Sequence, residues 1–562
     1  MKIAIRDGQV LLAEISATQY EQVKRIGLLR WNRTTRTMTG TISLDLLNGL
    51  ARIFTLPDFV EAERQKMLDT EHMLQLQREA EDPGCVFAYP VKAKLFKHQI
   101  RAANMAMMVF DRSPKPSAGF GLLFEMGCGK TLTAIAIAGS LYRHGMIGRV
   151  LVVAPTSVCS VWPHDLEAFA NFKYSVEVLL GDKKKRVEAL ERLEKPGYTT
   201  DLKIAVINYE STHRDGIFEA LVHYDADLII CDESQRIKNH AAAQSKAMHR
   251  LGDAAKYKLI LSGTPVQNNA VDLFSQYRFL DSSVFGTNFY AFRNRYCILG
   301  GYGQHQIVGY RNMEQLIEKE HSIAYRVTKE ECLDLPPQTF VRRYVQFEPA
   351  ERKVYDQIRR SSFAELENGD SITATTVLTK MLRLMQLTGG FIQTDGSERP
   401  QQVNTAKLAA LEDILDDYVI ETGKKLVIFA RFRAEIASIE ALLQRKGIKY
   451  GSIYGDIPQT ERGQIVDDFQ NNDDTKVFVA QIQTAGLGIT LHAANVAVFY
   501  SIDYNYANYA QALARIHRIG QHNPVTYIHL LVEHSIDDKV MEALERKEDI
   551  AKSIVDSWRT YF

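Results

Sequence analysis

An α/β chain of two parallel-sheet lobes, each covered by helices on both faces, is what this sequence predicts, and three observations carry the prediction. Apolar β-branched runs alternate with amphipathic helical stretches, the pattern of strands buried on both faces. The alternation occurs twice, at Val150–Ala154, Leu202–Ile207, Leu228–Cys231 and Leu259–Leu261, and again at Lys425–Phe429, Lys449–Ile453, Lys476–Val479, Val496–Tyr500 and Tyr527–Val532. The composition, 46% hydrophobic and 24% charged over 562 residues, is that of ordinary globular protein with material for several cores.

Taken in order, residues 1–88 read as an accessory α+β domain. A strand with charges inside it opens the chain, short strands surround Arg30-Trp31-Asn32-Arg33, and a highly charged helix runs from about Phe59 to Ala80, stopped by Asp82-Pro83-Gly84. The first lobe is expected at 89–284 and the second at 406–545. Between them, at 285–405, strands nearly vanish, and a helical insertion and linker is expected, with a glycine-rich loop at Gly300–Gly303 and a break at Pro336-Pro337.

Lys plus Arg equals Asp plus Glu at 68 each, so a polyanionic partner has to be held by a local basic cleft and not by a generally basic surface. The six cysteines, Cys85, Cys128, Cys159, Cys231, Cys297 and Cys332, contain no C-x-x-C pair, which argues against a zinc site and a disulfide framework and for a reducing cytosol. No window approaches a membrane-spanning apolar stretch, and the first residues do not read as an export signal, so a cytoplasmic protein is expected.

The strongest chemical signal is Phe-Glu-Met-Gly-Cys-Gly-Lys-Thr at 124–131, where a buried strand delivers a glycine turn directly into a helix. Gly127 and Gly129, with Cys128 between them, turn backbone N–H groups inward onto a β-phosphate. Lys130 reaches the β- and γ-phosphates and the Thr131 hydroxyl ligates Mg²⁺. The helix that starts there points its positive end at the anion. The strict pattern has glycine where Phe124 stands.

A second signal is Leu228-Ile229-Ile230-Cys231-Asp232-Glu233, an apolar strand ending in two adjacent acids. Asp232 suits a Mg²⁺ ligand and Glu233 a general base for the attacking water. In Leu261-Ser262-Gly263-Thr264-Pro265, hydroxyls follow another strand; they suit a sensor of the γ-phosphate, and equally an everyday turn. Finally, Arg515 and Arg518 stand three apart in a helical stretch, which places both on one face. Two arginines presented from a second lobe would stabilise charge on a transferring phosphoryl group, although a solvated basic helix has the same pattern.

The ordered set resembles the helicase superfamily 2 motor, specifically its Swi2/Snf2 branch of DNA translocases, over about residues 90 to 545. It rests on the blocks at 124–131, 154–162 (Ala-Pro-Thr-Ser through Trp162), 232–239, 261–268, 427–432 (Val-Ile-Phe-Ala-Arg-Phe), 485–491 and 515–521 (Arg-Ile-His-Arg-Ile-Gly-Gln). The resemblance implies two RecA-like lobes, ATP with Mg²⁺, and a motor that moves on double-stranded DNA without processive strand separation. It makes Lys130, Asp232, Glu233, Arg515 and Arg518 catalytic, with Mg²⁺ on Thr131 and Asp232. Gln99 recognises adenine, and Gly486 and Gly488 join Gly127, Cys128, Gly129, Lys130 and Thr131 around the nucleotide. DNA contacts are implied at Trp162, Asn208, Tyr209, Ser262, Thr264, Arg431 and Thr490. Residues 546–562 become a helix bracing the lobes.

Three positions depart from the commonest family pattern: Phe124 for Asp, Ser234-Gln235 for Ala-His, and Thr490 for Asn. None removes a catalytic atom. The expected protein is a monomeric ATPase of the cytoplasm or nucleoid acting on duplex or branched DNA, such as a fork, with a DNA-bound protein complex as a further partner. Two alternatives are a factor that displaces or recycles a complex such as RNA polymerase, and a nonhydrolysing DNA-binding scaffold.

Overall fold

The computed structural model describes residues 1–112, 117–194, 201–301, 303, 306–332, 335–367, 374–392, 400–487, 489–502, 504–518 and 520–551. The chain divides into two compact units, one built on Met1–Thr328 and the other on Lys329–Ile550. Among the described residues, no helix is long and apolar enough to cross a membrane.

The first unit opens with a four-stranded antiparallel sheet in the order Lys2–Arg6, Gln9–Ala13, Thr37–Thr41, Arg30–Asn32. Helix Ala17–Ile26 starts at a capping box between Ser16 and Gln19 and stops at Gly27. It packs with helix Leu44–Ala51 on one sheet face around Val10, Leu12, Val23, Met38, Leu46 and Leu50. The charged helix spans Asp58–Glu79 and lies along helix Lys97–Arg112. Arg101 Nε donates to Gln77 O at 2.9 Å, and the buried Asn104 amide donates to Gln77 Oε1 at 3.0 Å and Gly84 O at 2.8 Å.

The rest of this unit is a seven-stranded parallel sheet. Its order is Ala324–Val327, Ala118–Phe124, Tyr257–Leu261, Leu228–Asp232, Arg149–Ala154, Leu202–Asn208, Tyr174–Val178. The order matters more than the strand content: it sets the carboxyl ends of the three motif-bearing strands side by side, with the Ser262 strand between the strands of Phe124 and Asp232. Ligands of open parallel sheets gather at that edge.

The second unit holds a six-stranded parallel sheet, ordered Gln338–Val345, Val525–Val532, Val496–Phe499, Leu426–Ala430, Val477–Gln481, Tyr450–Ile453. Apolar clusters cover both of its faces. Segment 285–405 departs from the expected helical insertion and linker. It contributes strand Ala324–Val327 to the first sheet and the edge strand Gln338–Val345 to the second, besides a hairpin of Cys297–Gly300 with Gln306–Tyr310. Gln338–Val345 is hidden from periodicity because it is a mostly exposed edge strand carrying Arg342 and Arg343, which pair with Glu545 and Asp413. At the other end, helix Ile536–Ala551 reaches into the expected bracing segment, whose remainder, 552–562, lies outside the described residues.

The second unit also buries charge. Lys407 Nζ meets Asp537 Oδ2 at 2.8 Å and donates to Tyr500 O at 3.1 Å. Glu435, in the first turn of helix Arg433–Arg445, is buried and accepts the N–H groups of Arg431 at 3.1 Å and Phe432 at 3.0 Å. Burial pushes its carboxyl up from 4.5 to about 7. With the folded value above the unfolded one, the unfolded chain releases its proton first as pH rises. Stability is therefore greatest below the unfolded value and falls as pH climbs toward 7, by about 3 kcal/mol in all. Glu435→Gln is expected to flatten that slope, which chemical denaturation at stepped pH will show.

Candidate active site

At the end of strand Ala118–Phe124 the chain turns through Gly127 and Gly129, both with φ near +90° (92° and 81°), a region glycine enters without a Cβ penalty. Helix Lys130–Arg143 starts immediately after, with Gly129 as its cap. A Cβ on Gly129 would also collide with the Gln99 amide, so the position is closed to other residues twice over. Gln99 is buried against this turn: its Nε2 donates to Gly129 O at 3.2 Å, while Oε1 accepts Phe96 N–H at 2.9 Å. His98 Nε2 donates to Cys128 O at 2.9 Å, since a carbonyl can only accept, and burial holds the imidazole pKa below its ordinary value. The phosphate loop is thus stapled from outside by two consecutive side chains of one helix.

Phe124, the departure from a strict phosphate-loop pattern, fills the core between His98 and Tyr325, with ring centroids at 5.6 and 6.4 Å. Its carbonyl accepts Lys130 Nζ at 3.0 Å, which parks the ammonium against the loop. Thr131 follows in the first helical turn, half-buried.

Asp232 closes its strand and Glu233 turns the chain with φ 52° and ψ 55°, a left-handed conformation that a non-glycine residue holds only under constraint. Burial and then the adjoining Glu233 push the Asp232 carboxyl up to about 7, while Lys130 and the Trp162 indole N–H pull the other way. Asp232 offers carboxylate oxygens at its strand end and Thr131 a hydroxyl in the first turn of its helix, on the same sheet edge, oxygen donors of the kind Mg²⁺ takes.

From Glu233 a hydrogen-bonded chain runs to the next strand end. Gln235 Nε2 donates to Glu233 Oε2, Ser262 Oγ donates to Gln235 Oε1 at 2.8 Å, and Thr264 N–H donates to Ser262 Oγ at 3.1 Å. Gln276 locks the same loop, accepting from Ser234 Oγ at 2.7 Å and donating to Pro265 O at 2.8 Å. Buried Arg326 stitches the loop to the phosphate-binding strand through Leu123 O at 3.0 Å and Gly263 O at 3.1 Å.

In the second unit, Arg515 closes helix Tyr506–Ile516, and here the expectation of two arginines on one helical face is corrected. The helix stops before Arg518, because His517 is drawn out of it. His517 Nε2 donates to Pro336 O at 2.8 Å and Nδ1 accepts Gln338 Nε2 at 2.8 Å; a carbonyl can only accept, which fixes the tautomer. Gln521 pins the outgoing strand of this loop to Ala494 O at 2.8 Å and His492 O at 3.1 Å. Arg515 is buried, and Arg518 is half-buried near Ile489 O at 3.4 Å.

Residues 56–389 match the SNF2-related domain and residues 406–520 the helicase conserved C-terminal domain. The chain belongs to the Snf2 family. Over 492 residues it is 25% identical to the SWI/SNF-related matrix-associated actin-dependent regulator of chromatin subfamily A member 1 of Mus musculus, covering 84% of this chain and 44% of that protein. It is 28% identical over 447 residues to the DNA annealing helicase and endonuclease ZRANB3 of Mus musculus (76% and 38% covered), and 25% identical over 548 residues to the RAD54-like DNA repair and recombination protein of Drosophila yakuba (90% and 68% covered). The chain spans less than half the length of the first two. Among solved structures, the Sulfolobus solfataricus SWI2/SNF2 ATPase core in complex with dsDNA aligns with 84% of this chain and 95% of its own, at 25% identity and a TM-score of 0.40. The seven-stranded sheet lies within the SNF2-related match, and four strands of the six-stranded sheet lie within the helicase C-terminal match.

Four of the residues at which resemblance to that family implies DNA contacts have buried side chains. Trp162 is 2% exposed, Asn208 7%, Tyr209 0% and Ser262 0%. Trp162 and Tyr209 bind Asp232, Asn208 lies between Arg186 and Glu210, and Ser262 is consumed by Gln235. The polar atoms of these side chains are committed to protein partners. Thr264, Arg431 and Thr490 are half-buried and keep accessible surface. Gly486 lies in the 3₁₀ turn Ile482–Leu487, and Gly488 lies outside the described residues. Arg326 stands in Arg326-Val327-Thr328-Lys329, a block that matches the family in sequence, whereas Gln276 has no signal beyond a polar side chain inside an apolar run. Gln235 was noticed only as a departure from Ala-His, and it supplies a link between the acidic pair and the Ser262 loop.

Proposed function

We propose that this chain is an ATP-driven motor on double-stranded DNA that works on bare or branched DNA without processive strand separation. The observation that carries the proposal is the arrangement of Lys130, Asp232, Glu233 and the Ser262 loop on one sheet edge in a Snf2-family chain. In this reading Lys130 leaves the Phe124 carbonyl for the phosphates, and the N–H groups of 127–129 hold the β-phosphate. Thr131 and Asp232 hold Mg²⁺, which when bound neutralises phosphate charge. Glu233 accepts the proton of the attacking water. Gln99, with one amide hydrogen and one lone pair uncommitted, faces adenine. Closure of the lobes brings Arg515 and Arg518 to the transferring group, while Thr264, Arg431 and Thr490 step along phosphates, so sequence preference is slight and salt dependence steep.

A branched substrate is supported by the N-terminal domain. Residues 22–44 contain five cations, Lys24, Arg25, Arg30, Arg33 and Arg36, and no acid. All five are exposed, and none joins an ion pair among the described residues. Arg30 and Arg33 flank Trp31 in the chain, and Trp31 is 43% exposed on an edge strand. Cations beside an accessible aromatic suit the unpaired segment of a fork.

The test is ATP turnover of wild type and Lys130→Ala without nucleic acid and with single-stranded, duplex and forked DNA and RNA, at low and high salt. Stimulation by duplex or fork, lost in Lys130→Ala, is the expected result. Charge reversal of Arg30, Arg33 and Arg36 should erase any advantage of fork over duplex. Turnover indifferent to every nucleic acid overturns the proposal and transfers the reading to a protein complex as substrate.

A further inference from the structure

We infer that Trp162 and Tyr209 are positioning residues for Asp232, holding its carboxylate and main chain in the attitude that a Mg²⁺-bound nucleotide requires; this rests on the reading of Asp232 as a Mg²⁺ ligand. The need for such support follows from where Asp232 stands. Strand Leu228–Asp232 pairs with Tyr257–Leu261 as far as Leu261, opposite Asp232. On its other side the ladder with Arg149–Ala154 ends one residue earlier, at Cys231 opposite Val153. Immediately afterwards Glu233 turns the chain into the left-handed region. The strand's last residue therefore leaves the sheet on one side while carrying a buried carboxylate.

Two aromatic side chains stand at this strand end. Tyr209, from the turn after strand Leu202–Asn208, donates its hydroxyl to Asp232 O at 2.8 Å, beyond the last ladder pair on that side. Trp162, from helix Val161–Phe169 after strand Arg149–Ala154, donates its indole N–H to Asp232 Oδ2 at 3.1 Å. An indole has one hydrogen and no acceptor, so this bond selects one carboxylate oxygen and fixes the torsion of the group. Phenylalanine would fill the Tyr209 space and most of the Trp162 space; what Trp and Tyr add besides bulk is the two polar hydrogens aimed at Asp232. Partners behind a metal ligand orient it, and their loss weakens metal binding.

The test uses the full chain and three variants, Trp162→Phe, Tyr209→Phe and Asp232→Asn. Calorimetric titration of ADP at stepped Mg²⁺ concentrations gives nucleotide affinity with and without the metal, and thermal melts report folding. Trp162→Phe is expected to lower the Mg²⁺-dependent gain in ADP affinity roughly tenfold to a hundredfold, with metal-free affinity unchanged. Tyr209→Phe should act in the same direction and less strongly, since it holds the main chain only. A wild-type Mg²⁺ dependence in Trp162→Phe alongside a lost one in Asp232→Asn overturns this inference alone. Full Mg²⁺ dependence in Asp232→Asn overturns the underlying reading, and this inference with it. Should Trp162→Phe fail to fold, Tyr209→Phe decides: an unchanged Mg²⁺ dependence there is equally fatal.

Discussion

Glu233→Gln is expected to cut ATP turnover about a thousandfold while leaving ATP affinity within about threefold of wild type. The amide keeps the shape of the side chain and can still accept from Gln235, so the chain of bonds to Ser262 and Thr264 stays closed. What it loses is the ability to take a proton. The left-handed backbone at Glu233 is tolerated equally by either residue, which keeps stability out of the comparison. Single-turnover hydrolysis with nucleotide binding measured in parallel separates chemistry from affinity. A turnover within tenfold of wild type would remove Glu233 from the role of base and leave Asp232, raised to about 7 by burial and by its neighbour, as the group to examine next.

Removal of the second-lobe arginines is the other large effect. Arg518→Ala should lower turnover by about a thousandfold or more, again with little change in ATP affinity, because in the proposed cycle the guanidinium meets phosphate only as charge develops. Burial pulls its pKa down from the ordinary arginine value, and a desolvated cation is a stronger partner for a desolvated anion. Arg518→Lys keeps the charge without the planar fork and should recover only part of the loss. Arg515 is buried at the helix end, where truncation also opens a cavity, so Arg515→Lys is the informative change there. Equal losses in turnover and affinity for Arg518→Ala would mean that the arginine binds ground-state nucleotide and has no special part in the reaction.

Both lobes were legible in the sequence because buried parallel strands must be written as apolar runs. Each of the nine runs read as a strand is one, within two residues at either end. The turn at Gly127 and Gly129 was legible for a related reason: two positive-φ positions before a helix start leave few residue choices. The charged helix before the first lobe was legible from its uninterrupted helix formers. Strands Tyr174–Val178 and Gln338–Val345 were not, since each is an edge strand with little or no fully buried surface, and Ala324–Val327, though buried, is only four residues long and carries Arg326.

The identity of the chemical groups was therefore set by the sequence, and their partners by the tertiary structure. Trp162, Tyr209 and Ser262 carry polar atoms that serve equally well on a surface or in a core, and no local pattern distinguishes the two. Only the strand order decides. By placing the Ser262 strand on one side of the Asp232 strand and strands Arg149–Ala154 and Leu202–Asn208 on the other, it brings Trp162 and Tyr209 onto Asp232 and Ser262 onto Gln235. The same holds at the far end, where two arginines at helical spacing part company because His517 finds Pro336 and Gln338, residues some 180 positions earlier in the chain. Local propensity governs which backbone states a segment can adopt; which hydrogen bonds it completes depends on what the fold brings within about 3 Å.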